Sequence, residues 1–128
     1  GETGATAQLD RMEDSLSFAE VLKLQGDVSD GAGAAPEALA SVAAVRERAA
    51  MRLSGRGLAR SYGLAAAWAM IGAAAGDTES ADILADIDAR VRLAGAEGRA
   101  AWTRVEAAAS ERATRAWLAN DLAERFAR

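Results

Sequence analysis

Alanine constrains the fold of this chain more than any other feature. Roughly a quarter of the 128 residues are alanine, and Pro36 is the only proline. Alanine has the highest intrinsic helix propensity and proline the lowest, while the β-branched and aromatic residues that strands prefer are sparse. The composition therefore predicts an all-α protein without a β-sheet, in which small side chains let the helices approach one another closely.

Cysteine and histidine are both absent. The chain therefore has no disulfide bond, no thiolate or imidazole metal ligand, and no nucleophile activated by histidine. Carboxylates, arginines, Lys23 and Tyr62 remain, and no recognisable catalytic motif combines them. We expect a protein that is not an enzyme and that needs no cofactor.

Charge is distributed unevenly around a net value of −4. Residues 1–37 are acidic, whereas residues 46–60 hold five arginines and one carboxylate, that of Glu47. Such a basic run can contact phosphates or an acidic partner. It lacks accompanying aromatic residues on which bases could stack, and the chain is acidic overall, so a solvated helix face is the preferred interpretation and no nucleic-acid partner is expected.

Residues 61–76 carry no charge. This stretch is shorter than the roughly 20 apolar residues that span a bilayer, so we expect a buried helix and no transmembrane segment. The chain begins with Gly1 rather than methionine, which fits either the removal of an upstream region or the presence of added residues.

Apolar spacing and helix-ending glycines divide the chain into helices. The predicted helices are residues 8–25, 36–53, 61–75 and 78–94, followed by a long helical stretch after Gly98. Two glycines separated by one residue, Gly55 and Gly57, predict a turn in which at least one of them has φ > 0. Residues 1–128 are expected to form a single domain of five or six helices.

The chain also repeats part of its own pattern. An aromatic residue stands eight positions before a Gly-Asp pair, or before its equivalent, three times. The three copies are Phe18 with Gly26-Asp27, Trp68 with Gly76-Asp77, and Trp102 with Ser110-Glu111. Residues 51–55 resemble residues 91–95, which lie 40 positions later. We interpret the repeating unit as a helix pair whose aromatic residue fills the space between successive pairs.

The middle of the chain resembles a known repeat family. The run Ser54-Gly55-Arg56-Gly57-Leu58-Ala59-Arg60-Ser61-Tyr62 is followed by Ala65, Trp68, Ala73, Ala74 and Gly76-Asp77. This order is similar to the Sel-one-like repeat signature, in which an N-G-x-G-V-P-x-D-Y-like loop leads to A-x-x-W-x-x-x-A-A-x-x-G-D. Ala59, Ser61 and Arg52 stand where that pattern has proline, aspartate and tyrosine.

The resemblance implies a short right-handed α/α solenoid, similar to tetratricopeptide proteins, that serves as an adaptor or scaffold. It implies structural roles for Gly55, Gly57, Trp68 and Gly76, and the repeat register adds Trp102. The divisions expected from it are a degenerate leading helix at 8–25, the best repeat at 36–76, and a second pair with a capping helix at 78–128. Members often act in the bacterial envelope, which gives a weak preference for an exported protein over a cytoplasmic one.

Two surfaces are candidates for binding another protein or peptide. In a solenoid, the first helix of each pair lines a concave face, which would place Arg46, Arg52 and Arg90 on that face. The second candidate surface is formed by Leu118, Leu122 and Phe126, which lie on nearly the opposite side of a continuous helix from the stripe that contains Trp102.

The last stretch of the chain has two possible structures. Either the helix breaks near Ser110-Glu111 and folds back, or it continues to the end and exposes the stripe of Leu118, Leu122 and Phe126. Helix propensity favours continuity because no Gly or Pro lies in this region. The exposed stripe would then serve for docking or self-association, and a structural subunit of a larger assembly is the alternative function.

Three acidic residues offer an alternative of another class. Asp82 and Asp86 share one helix face and lie near Asp88, so they could act in acid/base catalysis or weakly hold a divalent cation. Solvated acids close to a helix N-terminus are the preferred interpretation of these residues.

Overall fold

The described structure is all-helical. The computed structural model describes residues 17–25 and 36–127, and all regular structure within those ranges is helix. The elements are α1 (Phe18–Gln25), a 3-10 helix (Pro36–Leu39), α2 (Val42–Ser54), α3 (Tyr62–Ala74), α4 (Thr78–Leu93), α5 (Gly95–Ala119) and α6 (Leu122–Arg125). The predicted all-α class is confirmed. Residues 8–16 of the predicted first helix and the Gly26-Asp27 pair lie outside the described residues.

The predicted helix 36–53 is divided into two elements. The 3-10 helix ends at Leu39, and α2 begins only at Val42 because Ser41 caps it. Ser41 has extended backbone dihedrals, and its hydroxyl accepts a hydrogen bond from the amide of Ala44 at 3.0 Å. A serine at the N-cap satisfies an amide that has no partner within the helix.

The turn between α2 and α3 has the left-handed glycines that the sequence predicts. Gly55 has φ of 78° and Gly57 has φ of 84°, and the Gly55 amide donates to the Met51 carbonyl at 2.9 Å. Ser61 then caps α3 by accepting from the amide of Leu64 at 3.1 Å. The turn therefore ends one helix and starts the next within seven residues, from Gly55 to Ser61.

The uncharged helix α3 is buried along most of its length, as expected. It contacts α1, α2, α4 and α5, and nine of its thirteen residues are buried. Trp68 is 6% exposed, so its predicted burial is confirmed. Gly72 lets α4 approach, because a Cβ at this position would overlap the hydroxyl of the fully buried Ser80.

Helices α3 and α5 run in the same direction. The first half of α3 packs with Trp102 and Ala109 of α5, and its second half packs with Ala113. Phe18 of α1 covers the start of this contact, with its ring 5.5 Å from Tyr62 and 6.4 Å from Trp102 between centroids. Trp68 of α3 and Trp102 of α5 therefore both lie buried, on two helices that run in the same direction.

The C-terminal region follows neither of the two predicted courses. Helix α5 continues through Ser110, so no turn occurs there, but it ends at Ala119. Asp121 adopts the left-handed conformation with φ of 53°, and α6 then folds back. Asn and Asp enter this conformation more readily than most residues, and the Asn120 side chain donates to the Ala116 carbonyl at 2.8 Å.

The predicted exposed stripe of Leu118, Leu122 and Phe126 is therefore wrong. Leu122 is fully buried, and only Leu118, at 74% exposed, remains on the surface. Phe126 is half-buried and meets Trp117 edge-on at 6.3 Å between ring centroids. The bend at Asn120-Asp121 reverses the chain and turns Leu122 and Phe126 toward the core.

The bend makes two leucines, four residues apart, respond differently to truncation. Leu122→Ala should lower the free energy of unfolding by about 2–5 kcal/mol, because it removes a fully buried side chain. Leu118→Ala should change it by less than about 0.5 kcal/mol, because that side chain already contacts water. Urea denaturation followed by circular dichroism measures both values, and equal losses would contradict the bend.

Candidate functional site

The predicted concave-face arginines are engaged within the fold. The guanidinium of Arg46 forms a bidentate pair with Asp77, with its Nη2 atom 2.8 Å from Oδ1, and its Nε atom lies 3.3 Å from a carboxylate oxygen of Glu79. Arg90 donates to the Tyr62 hydroxyl at 3.1 Å and lies over the Tyr62 ring at 5.5 Å. Both arginines tie α4 to a neighbouring helix.

A groove separates α2 from α4. Its volume is about 490 Å³, and its lining is Ala43, Arg46, Glu47, Ala50, Glu79, Asp82 and Ile83. Three carboxylates surround a single arginine that is already paired with Asp77. The charged residues of the groove are therefore mainly acidic, and the three predicted arginines do not converge in it.

A second cavity, which the sequence did not indicate, lies between α3 and the C-terminal half of α5. We call it the α3/α5 pocket. Its volume is about 350 Å³, and it is lined by Ala67, Trp68, Ile71, Arg112, Ala113, Arg115, Ala116, Ala119 and Asn120. The bend after α5 supplies Asn120, so this wall of the pocket depends on the chain reversal at that point.

Two arginines of α2 add positive charge beside the pocket. The Arg48 guanidinium lies 5.9 Å from the centre of the Trp68 ring, within the range of a cation–π interaction. Arg52 donates to the Ala59 carbonyl at 3.0 Å, while its Nε atom is buried without a hydrogen-bond partner. Burial lowers the pKa of Arg52, and the charges of Arg48 and Arg112 lower it further.

A further apolar groove lies nearby on α5. Its volume is about 280 Å³, and its lining is Met70, Ile71, Ala74, Ser110, Ala113, Thr114, Trp117 and Leu118. It shares Ile71 and Ala113 with the α3/α5 pocket. Leu118 stands exposed at its edge, so the second half of α5 presents apolar surface on either side of its contact with α3.

The acidic residues of α4 lie on its surface. Asp86 is 3.5 Å from Arg90 and Asp88 is 2.9 Å from Arg92, each one helical turn apart, and Asp82 lines the α2/α4 groove. Among the described residues, no group of three acidic side chains is placed to hold a metal ion. Asp86 and Asp88 therefore serve as partners in surface ion pairs of α4.

The comparisons with known proteins return no match. No family model, curated protein or solved structure matches this chain. Within the described residues, no helix is both long enough and apolar enough to cross a membrane.

The Arg46–Asp77 pair predicts a pH dependence of stability. Hydrogen bonds from Arg46 and Ser80 lower the pKa of Asp77 from 3.8 to about 2. Because the pKa is lower in the folded state, the carboxylate contributes stability above its unfolded pKa, and this contribution is lost as the pH falls through about 2.

The test compares two substitutions of aspartate by asparagine, one at the N-cap of α4 and one within the helix. Asp77→Asn keeps an N-cap side chain but removes the charge, so its melting temperature should start lower at neutral pH and fall less steeply between about pH 5 and pH 2. Asp82→Asn, at an exposed position, should follow the parent chain. Calorimetry at several pH values measures the slopes, and parallel slopes for all three chains would contradict the role of Asp77.

Proposed function

We propose that this chain is a non-catalytic protein-interaction module, an adaptor or scaffold, whose binding surface lies along the second half of α5. The observation that carries the proposal is the apolar surface on both sides of the α3–α5 contact. An apolar patch rimmed by charged residues marks interaction sites in many proteins. The pocket offers no nucleophile or histidine, so recognition suits it better than catalysis.

We further propose that the helix pairs are Sel-one-like repeats arranged as a short solenoid. Support comes from the α2–α3 turn with its two left-handed glycines and from the burial of Trp68 and Trp102 on parallel second helices. Left-handed Gly55 and Gly95 follow the first helix of each pair, which agrees with the offset of 40 residues. Such arrays commonly hold other proteins.

A structural subunit of a larger assembly is the second candidate function. Leu118 is 74% exposed beside the half-buried Trp117, on the helix that precedes the C-terminal bend. A leucine in this setting gains about 1.5–3 kcal/mol on complete burial. Permanent docking through the outer side of α5 would supply that burial.

The interaction proposal predicts that a peptide occupies the α3/α5 pocket. A display library of random peptides is selected on the immobilised chain, and the peptides recovered are measured in solution by fluorescence anisotropy. Ala119→Phe places a ring in the pocket from an exposed position and should weaken binding at least about tenfold. Ala107→Phe, also exposed on α5 but outside the pocket, should not.

The behaviour of the isolated chain distinguishes the two candidate functions. A monomer that melts cooperatively and binds pocket-directed peptides supports the interaction module. A chain that self-associates, and that becomes monomeric on Leu118→Glu but not on Leu93→Glu, supports the subunit, since Leu93 is 90% exposed on another helix. Peptides that bind equally well to the Ala119→Phe chain would refute the pocket as the binding site.

A further inference from the structure

The α3/α5 pocket combines an apolar floor with a basic rim. Trp68, Ile71 and four alanines supply most of its lining. Arg112 and Arg115 are its only charged lining residues among those that the structure describes, and Arg115 is paired with Glu111 on the same helix. No carboxylate of the described chain lines the pocket, although the whole chain has a net charge of −4.

Positive charge accumulates on the α2 side of this rim. Arg48 is held over Trp68, and it forms a long salt bridge of 3.7 Å with the mostly exposed Glu37. Arg52 lies close enough to Arg48 and Arg112 for their charges to disfavour its own. Arg48 and Arg52 of α2 and Arg112 of α5 therefore bring three positive charges close together beside the pocket.

An incoming carboxylate would relieve this repulsion. Several positive charges at the edge of an apolar cavity attract a negatively charged ligand and fix the position in which it binds. The cavity volume of about 350 Å³ accommodates one large side chain and its neighbours rather than a folded domain.

We propose that the α3/α5 pocket binds an acidic peptide segment of a partner protein, with one large apolar side chain inside the pocket and flanking carboxylates against Arg48, Arg52 and Arg112. This inference rests on the proposed function as an interaction module and adds the chemistry of the partner. The apolar side chain contacts Trp68 and Ile71, and the acidic residues determine which segments are accepted.

A nucleic acid fits this site less well than a peptide. Single-stranded binding relies on aromatic faces open to bases, but Trp68 is 6% exposed and Arg48 lies over its ring. Trp117, the nearest other tryptophan, lines the neighbouring groove and packs against Phe126. Neither tryptophan therefore offers an open ring face on which a base could stack, although the edge of Trp68 lines the pocket.

The experiment uses three fluorescein-labelled peptides of equal length with the unmodified chain. One carries a single Phe flanked by Asp and Glu, one carries the same Phe flanked by Lys, and one is acidic with Ala in place of Phe. The acidic Phe peptide should bind at least about tenfold more tightly than either of the others in anisotropy titrations. Its affinity should fall as sodium chloride is raised, because the rim is exposed to solvent.

Substitutions on the protein locate the contacts. Arg48→Gln and Arg112→Gln should each weaken the binding of the acidic Phe peptide roughly three- to fivefold, as expected for partly exposed charge pairs. Arg104→Gln removes the same charge from an exposed position of α5 outside the pocket and is the matched control. Ala119→Phe should weaken the binding of the acidic Phe peptide, because the new ring competes with the peptide's Phe for the pocket. Melting curves establish that each variant is folded.

Several results would overturn the proposal. Equal binding of the acidic and the basic Phe peptides, both sensitive to Ala119→Phe, would retain the interaction module but refute the acidic partner. Absence of binding by every peptide, including those from the random library, would refute both. Tighter binding of a labelled single-stranded oligonucleotide, or self-association abolished by Ala119→Phe, would assign the pocket to a nucleic acid or to a second copy of the chain.

Discussion

The burial of α3 is the constraint on which the rest of the packing depends. This helix has no charged side chain, and α1, α2, α4 and α5 all contact it. Its small residues allow those helices to come close, as Gly72 does for Ser80 of α4. A close approach gives many dispersion contacts per residue, so a core with few large side chains becomes possible. The larger residues, such as Trp68 and Trp102, then fill the spaces at the points where pairs of helices meet.

Arginine has two different roles around this core. Arg46 and Arg90 are held by groups of another helix, Asp77 and Tyr62 respectively, so their charges help to fix the position of α4. A second group consists of Arg48, Arg52 and Arg112, which lie near enough for the charges of Arg48 and Arg112 to act on Arg52. Two of them, Arg48 and Arg52, come from the same helix as Arg46. On α2, Arg46 thus helps to fix α4, whereas Arg48 and Arg52 place charge beside two residues of the pocket lining, Trp68 and Arg112.

The sequence predicts the local features of this fold much better than its binding surface. The helical class, the glycine turn at Gly55 and Gly57, and the burial of Trp68 follow from propensity, backbone sterics and apolar spacing, all of which act over a few residues. The bend at Asn120-Asp121 does not, because neither residue is a strong helix breaker and the burial of Leu122 against distant residues offsets its cost. The conflict between the two apolar stripes was visible in the sequence, but the position of the break was not.

The candidate site was missed for a related reason. Its lining comes from residues 67–71 of α3 and 112–120 at the end of α5, with the charges of Arg48 and Arg52 from α2. Only the packing of three helices brings these segments together. The arginines at 46, 52 and 90 lie on α2 and α4, but the partners that engage Arg46 and Arg90 lie 31 and 28 residues away along the chain.

The C-terminal bend also affects how the molecule unfolds. A short helix at the end of a chain can lose its structure before the rest of the fold when few contacts hold it. Here Arg125 donates to the carbonyl of Leu39 at 3.0 Å, across 86 positions of the sequence, and Leu122 joins the same core cluster as Leu39. These contacts connect the last described helix to the segment that precedes α2. The C-terminal helix is therefore coupled to the segment before α2, which favours unfolding of these two parts of the chain together over separate fraying of the C-terminal end.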